Sequence, residues 1–239
     1  MAYDPKQTTW FNPNIEYLFD DDIIEYDIQD AGFSLIKEFK LLPDEKINEL
    51  ARLDKGLSRH IEVGKLQRDD KQFSQRLSNA FEEARRHFIN TNKIADDSIV
   101  SVKKDAIFTT ANARRTNFGH VHFATKHRYT SYLRFSNIHN IEIYYSNTNV
   151  DYKQINDHCI NRHRLYTVSF LEGFIKRMES MDKHSVQSYL MNYLMKYKAM
   201  ELDEEHYLEF NNKSTDINPS FNFVNVLVPL VQLVIKERC

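Results

Sequence analysis

Glycine, proline and cysteine are all scarce in this chain, which has 5, 5 and 2 of them among its 239 residues. Glycine and proline together make up about 4% of the sequence, against roughly 12% in average proteins. This scarcity excludes collagen-like, linker-rich and low-complexity chains, and it disfavours a sandwich with many tight turns. The two cysteines, Cys159 and Cys239, exclude a disulfide scaffold and a four-cysteine zinc site.

Long hydrophobic runs are also lacking. The most apolar stretch, residues 221–235, is interrupted by Asn222, Asn225, Pro229 and Gln232, whereas a membrane span needs about 20 apolar residues. The first 22 residues are acidic and polar, unlike a signal peptide. We therefore expect a cytoplasmic protein without a membrane partner.

Blocks of strand-like and helix-like pattern predict an α+β fold with one antiparallel sheet. Strands are predicted at residues 23–28, 99–102, 106–108, 120–124, 129–135 and 141–145. Helices are predicted at residues 31–40, 43–53, 69–90, 160–178, 185–198 and 203–210, with a polar turn around Gly56. The run at 221–235 fits either a strand pair or a buried helix, because Pro229 leaves both open.

These blocks divide the chain into four segments without an obvious linker. They are an N-terminal segment with the first strand (1–30), a helical insertion (31–97), antiparallel strands (98–150), and a helical C-terminal lobe with the final apolar element (151–239).

The formal net charge of −2 hides an uneven distribution along the chain. Residues 1–54 hold 13 acidic and 5 basic side chains, a net of −8, and residues 103–134 hold 7 basic and 1 acidic, a net of +6. Aromatic residues are interleaved with the basic ones, so this block predicts a polyanion-binding face. An ordinary charged strand surface is the alternative.

Two aspartates lie at the ends of predicted strands. Asp27 lies in an apolar strand immediately before a helix, and Asp105 lies near the turn of a predicted β-hairpin. A carboxylate in such a setting is costly to bury unless it is paired or binds a metal. Two carboxylates on neighbouring strands can hold a pair of magnesium ions. Turn-forming or surface acids are the alternative interpretation.

These two segments resemble motifs of palm-domain DNA polymerases. Residues 23–36, IIEYDIQDAGFSLI, resemble the first catalytic motif, a strand ending in Asp followed by a short turn into a helix. Residues 101–108, SVKKDAIF, resemble the hairpin that supplies the second metal-binding Asp. The order of parts extends the resemblance over about residues 20–210, with the helical insertion as fingers and the helical tail as thumb. No proofreading exonuclease segment is expected, since about 20 residues precede the first motif.

The resemblance implies a small template-dependent, magnesium- or manganese-dependent nucleotidyltransferase. Asp27 and Asp105 would be the catalytic, metal-binding acids. The residues implied in gripping the nucleoside triphosphate are Arg59, Lys65, Arg68 and Lys71. The residues implied in binding nucleic acid, including a basic-aromatic motif at 126–129, are Lys104, Arg114, Arg115, Lys126, Arg128 and Tyr129.

Two departures from the family pattern keep other functions open. The hairpin carries one acid, Asp105, where the family pairs acids, and the fingers motif ending in Tyr-Gly is missing. The first alternative is a non-catalytic nucleic-acid-binding or polymerase-accessory protein on a degenerate palm scaffold. The second is an inhibitor whose acidic N-terminal segment, around Asp20–Asp22, mimics nucleic acid against a basic protein partner.

The histidines give a weaker signal. His120 and His122 share one face of a predicted strand and His127 lies near, which is a pattern that can ligate zinc. No cysteine or acid accompanies them at ligand spacing, so a zinc site is disfavoured.

Overall fold

The structure is a computed structural model that describes residues 2–136, 140–153, 169–180, 182–203, 206–207 and 223–236. Its strands are β1 (Trp10–Phe11), β2 (Tyr17–Leu18), β3 (Ile23–Ile28), β4 (Ile99–Lys103), β5 (Ala106–Thr109), β6 (Asn117–Phe118), β7 (Val121–Tyr129), β8 (Ser131–Phe135), β9 (Ile141–Tyr145) and β10 (Val150–Lys153). Its helices are α1 (Ala31–Glu38), α2 (Asp44–Arg52), α3 (Leu57–Asp69), α4 (Lys71–Asn92), α5 (Ser169–Glu179), α6 (Lys183–Lys198) and α7 (Phe223–Lys236). The predicted α+β class is confirmed.

The chain forms two compact units. The first unit comprises Met1–Ile15 and Ile23–Arg128, and the second comprises Glu16–Asp22 and Tyr129–Cys239. Among the described helices, none has the length and apolar character needed to cross a membrane.

The first unit is built on a six-stranded sheet with the order β1-β4-β5-β3-β7-β6. Strand β5 pairs antiparallel with both β3 and β4. Strands β3 and β4 are the two strands of a split β-α-β unit, because helices α1 to α4 lie between them in the chain. Strand β5, which follows β4 in the hairpin, lies between β4 and β3 in the sheet. This topology brings the end of β3 beside the turn of the β4–β5 hairpin.

Alternation along β3 gives its two faces different roles. Ile24, Tyr26 and Ile28 belong to the hydrophobic core of the first unit, which also contains the apolar stripe of α4. Phe88 of that stripe stacks on Phe123 of β7, with ring centroids 4.3 Å apart. Glu25 and Asp27 therefore lie on the face of the sheet opposite to this core.

Helix α4 begins and ends with recognisable caps. The Asp70 carboxylate accepts hydrogen bonds from the backbone N–H groups of Gln72 and Phe73, at 2.8 and 3.0 Å, which satisfies donors that have no partner within the helix. Lys93 ends the helix in the left-handed conformation, with φ of 54°. The cap fixes the start of the long helix that covers the sheet.

The second unit contains a four-stranded antiparallel sheet with the order β10-β9-β8-β2. Leu133, Ile141 and Ile143 from this sheet share a hydrophobic core with Phe170 and Phe174 of α5. Residues of α6 and α7 complete that core. The expectation of a single sheet is wrong, because β8 pairs with β2 and β9 and not with the strands of the first unit. The predicted strand segment 98–150 consequently contributes to both units.

Several predicted elements are confirmed within a few residues, whereas helix α3 and the short strands β1, β2, β6 and β10 were not predicted. The helices predicted at 31–40, 43–53, 69–90 and 185–198 correspond to α1, α2, α4 and α6, and the run at 221–235 contains helix α7. Helix α3 was predicted as a polar turn because its apolar residues form no single stripe: Leu57 and Ile61 are exposed while Arg59 and Val63 are buried. The helices predicted at 160–178 and 203–210 lie partly outside the described residues.

Candidate functional site

Asp27 and Asp105, predicted from separate parts of the chain, lie next to each other in the first unit. Asp27 on β3 faces Ala106 on β5 as its Cα partner, and Asp105 directly precedes Ala106. The backbone N–H of Ile28 donates a hydrogen bond of 3.0 Å to the Asp105 carbonyl oxygen. Because the strand partner of Asp27 is the small residue Ala106, that partner leaves space beside the Asp27 side chain.

The two carboxylates interact as like charges. Burial raises the pKa of Asp105 above its ordinary value, and the negative charge of Asp27 raises that pKa further. A hydrogen bond from its own backbone and the charges of Lys104 and Lys126 oppose this shift in part. Perturbation of a carboxyl pKa by burial together with a specific charged neighbour is typical of functional sites.

The two oxygens of Asp27 have different surroundings. Oδ2 accepts a hydrogen bond from the Lys126 ammonium at 3.0 Å. Oδ1 is buried and has no hydrogen-bond partner among the described residues. A buried oxygen without a partner is costly, so this atom marks a position where a cation or a donor group would lower the energy.

Lys126 forms an ion cluster on the face of β3 opposite the core. Its ammonium lies 3.0 Å from Asp27 Oδ2 and 3.6 Å from Oε1 of the buried Glu25. Burial alone would lower the pKa of Lys126, but the hydrogen bond to Asp27 and the charges of both acids raise it above its ordinary value. Lys126 is therefore protonated at neutral pH, and its side chain is 49% exposed.

The residues present include two neighbouring carboxylates, which is the kind of ligand set that an open magnesium site uses. Magnesium prefers carboxylate oxygens and is usually held by one or two carboxylates, with waters and substrate phosphates completing its shell. Asp27 and Asp105 supply two carboxylates, one with a buried oxygen that lacks a partner. No group of three or more described His, Cys, Asp or Glu side chains forms a candidate metal cage.

The histidines are engaged with the first unit itself. His122 Nδ1 lies 3.1 Å from Gln29 Oε1, and the backbone N–H of His120 donates to Glu38 Oε2 at 2.6 Å. No zinc-binding group is formed among the described residues.

Arg59 was predicted to grip a triphosphate, and the structure gives it a different task. It is 4% exposed, pairs with Asp30, and donates from Nε and Nη2 to the carbonyl oxygens of Leu50 and Leu53, at 3.1 and 2.9 Å. Its guanidinium also covers the Phe33 ring at 4.3 Å. Because the guanidinium donors of Arg59 already bind Asp30 and these carbonyl oxygens, we no longer predict that Arg59 binds a triphosphate.

The other predicted triphosphate-binding residues are exposed on α3 and at the start of α4. Lys65 pairs with Glu62 at 3.2 Å, and Arg68 pairs with Asp69 at 3.0 Å. Exposed pairs of this kind are weak, so these side chains remain free to exchange partners. Their role in binding stays a prediction.

Among the residues predicted to contact nucleic acid, Arg114 and Arg115 are exposed on a loop whose backbone is held by hydrogen bonds. Oδ1 of Asn92, at the end of α4, accepts from both of their backbone N–H groups at 2.8 Å. The Tyr26 hydroxyl accepts from Ala113 N–H at 2.9 Å. The backbone of this loop is thus held in place while two arginine side chains face solvent.

The remaining predicted contacts divide into exposed and buried residues. Lys104 lies over the Phe81 ring at 5.0 Å, and exposed Arg128 donates to Asn112 Oδ1 at 3.1 Å. Tyr129 belongs to the second unit, is 1% exposed, and donates to Asp151 Oδ2 at 3.3 Å. The prediction that Tyr129 contacts nucleic acid is corrected, because its ring is buried.

A small cavity of about 110 Å³ reaches Asp105 within the first unit. Its wall includes Lys104, Asp105, Gly32, Val63 and Phe81. Ligand pockets usually measure about 300–1,000 Å³, so this cavity admits one small group and does not enclose a whole nucleotide.

A larger cavity of about 580 Å³ lies between α6 and α7 in the second unit. Its lining is mainly apolar, with Met191, Met195 and Ile235 among the contributors and His184 as its one titratable side chain. Its lining includes no carboxylate that could hold a cation, so the aspartate pair is the better candidate site.

Arg85 is a residue that the sequence analysis missed. It is fully buried in α4 and donates to the Lys104 carbonyl oxygen, at 2.6 Å, in the turn that carries Asp105. The sequence does indicate that Arg85 is buried, because it lies four residues after Phe81 and three before Phe88, within the apolar stripe of the helix.

Fold and site together define an α+β protein with an adjacent pair of aspartates at the edge of a split β-α-β unit. Residues 3–225 match the sequence family described as Bacteriophage PBS1 gene 130 protein. The chain belongs to this family. A comparison with curated proteins gave no match.

The raised pKa of Asp105 predicts how stability depends on pH. Folded Asp105 binds its proton more tightly than the unfolded chain does, so losing that proton at neutral pH costs folding free energy. We expect Asp105→Asn to raise the free energy of unfolding at pH 7. The gain should shrink as pH falls towards 3.8, the ordinary carboxyl pKa. Urea unfolding followed by fluorescence of the single tryptophan, Trp10, measures this.

The matched control is Asp54→Asn, which changes an exposed carboxyl and should leave the pH profile unchanged. A destabilised Asp105→Asn variant at pH 7 would contradict the repulsion between Asp105 and Asp27.

Proposed function

We propose that this protein is a magnesium-dependent nucleotidyltransferase in which Asp27 and Asp105 form the catalytic carboxylate pair. The observation that carries the proposal is the convergence of two acids from distant parts of the chain, one on β3 and one in the turn of the β4–β5 hairpin. One of them has a buried oxygen without a partner among the described residues, and the other has a raised pKa caused in part by the first.

The topology around the pair supports the proposal. The resemblance to palm-domain polymerases implies a strand ending in Asp, a helical insertion, and a hairpin with the second Asp, in that order. In the chain these parts are β3, the helices α1–α4, and the β4–β5 hairpin. Strand β5 lies beside β3 in the sheet, which is the arrangement that two acids serving one site require.

Magnesium or manganese bound at the pair would supply charge stabilisation and activate the attacking hydroxyl. Asp27 and Asp105 are the residues that would hold this cation. Lys126 neutralises Asp27 while the site is free, and its ammonium is exposed enough to turn towards a phosphate oxygen of the substrate. Lys65, Arg68 and Lys71 on the helical insertion are the cations proposed for the nucleoside triphosphate.

The proposed nucleic-acid face is formed by Lys104, Arg114, Arg115 and Arg128 in the first unit. The loop that carries Arg114 and Arg115 is fixed by Asn92, so little order has to be gained on binding. Arginine contacts to phosphates position a nucleic acid without reading its sequence. We therefore propose binding that tolerates many sequences.

A second candidate function is a non-catalytic nucleic-acid-binding or polymerase-accessory protein. The bond between Lys126 and Asp27 favours it, because a permanent lysine partner would keep the carboxylate from a cation. The exposed acids Asp20–Asp22 would also suit binding to a basic protein partner.

Catalysis is tested by incorporation of nucleoside triphosphates into a primer-template or single strand with Mg²⁺ or Mn²⁺. We expect product from the wild type and a rate loss of at least about 100-fold in Asp27→Asn and Asp105→Asn, since even residues behind metal ligands cost about 10–100-fold. The control Asp54→Asn should keep wild-type activity. Wild-type protein that binds nucleic acid and forms no product would favour the accessory function.

The nucleic-acid face is tested by the salt dependence of binding to a fluorescent duplex. Each phosphate contact contributes a slope of about −0.9 in log K against log salt concentration. Replacing both Arg114 and Arg115 with Gln should lower the magnitude of the slope by about 1.8. The control Arg76→Gln removes an exposed arginine from α4 and should leave the slope unchanged. An unaltered slope in the double variant would remove this loop from the interface.

A further inference from the structure

Arg85 carries a positive charge in the interior of the first unit. It is fully buried, and its guanidinium donates to three neutral oxygens: the Tyr3 hydroxyl at 2.9 Å, the Pro5 carbonyl at 2.7 Å and the Lys104 carbonyl at 2.6 Å. A buried charge is costly unless its donors are all used. Three convergent acceptors therefore indicate a specific task for an arginine at this position.

That task concerns the turn that carries Asp105. Arg85 holds the Lys104 carbonyl from the helix side, and the Ile28 N–H holds the Asp105 carbonyl from the β3 side, at 3.0 Å. The peptides on both sides of the Asp105 Cα are thus fixed by different elements. These two contacts determine where the Cα of Asp105 lies relative to Asp27 on the neighbouring strand.

The N-terminal segment secures the arginine in turn. Tyr3 is 7% exposed and packs against Trp10, with ring centroids 5.3 Å apart. Trp10 belongs to β1, which pairs with β4 of the hairpin. Tyr3, Arg85 and the β4–β5 hairpin therefore form one connected arrangement within the first unit.

We propose that Arg85 is a positioning residue that keeps Asp105 beside Asp27 in the geometry that receives a divalent cation. The proposal rests on the proposed function, since it assigns Arg85 a role towards the cation of that site. Only arginine offers a planar fork that serves three acceptors at once. A lysine keeps the charge but carries all its donors on one nitrogen, whereas Arg85 donates to the three oxygens from three different nitrogens.

The test measures Mn²⁺ binding by the electron paramagnetic resonance signal of free Mn²⁺, without substrate. We expect Arg85→Lys to weaken Mn²⁺ binding by about 10–100-fold, the usual effect of changing a residue behind a metal ligand. The control Arg86→Lys changes the next residue of α4, an arginine that pairs with Glu82 and Glu83, and should bind Mn²⁺ as the wild type does.

A second variant covers the case in which Arg85→Lys does not fold. Tyr3→Phe removes a single acceptor of Arg85, so Mn²⁺ binding should weaken by about threefold to tenfold, the equivalent of one hydrogen bond. Hydrogen exchange of the Ile28 amide, which bonds to Asp105, should accelerate in the same variant.

The outcomes separate the two proposals. Wild-type protein that binds no Mn²⁺ overturns both the carboxylate pair as a cation site and the role of Arg85. Wild-type binding that remains equal in the folded Arg85→Lys variant, or in Tyr3→Phe with unchanged Ile28 exchange, overturns the positioning role alone.

Discussion

The pairing of β3 with β5 is the constraint on which the candidate site depends. This register places Asp27 opposite Ala106 and lets the Ile28 N–H hold the Asp105 carbonyl. Two like charges are consequently held side by side, which costs free energy and raises the pKa of one of them. Strain of this kind persists where the surrounding structure over-determines it, and it is often found at functional sites.

Residues from several helices and strands offset the cost of placing the two aspartates side by side. Lys126 from β7 neutralises Asp27 on the face of the sheet opposite the core, while Arg85 from α4 fixes the hairpin turn from within the core. Arg59 pairs with Asp30 just after β3 and connects α3 to the C-terminal end of α2. The insertion between β3 and β4 thus stabilises the site in addition to carrying basic residues.

Features of the fold and the site that depend on neighbouring residues could be predicted from the sequence, whereas those that depend on distant contacts could not. The alternation of β3 and the apolar runs around Asp105 placed both acids on strand ends, and the order of segments placed those strands in one fold. The engagement of Arg59 and Arg85 depends on partners far away in the sequence, which periodicity does not reveal. Helix α3 lacks a single apolar stripe, and the division into two sheets depends on pairing between β2 and β8.

The aspartate pair is tested as a cation site most directly by the anomalous scattering of a crystal soaked in Mn²⁺, which replaces Mg²⁺ and is visible at its absorption edge. We expect a peak within bonding distance, about 2.0–2.2 Å, of carboxylate oxygens of both Asp27 and Asp105. Lys126 should then have moved away from Asp27. A saturated crystal with no peak at the pair, and with Lys126 still bonded to Asp27, would contradict it.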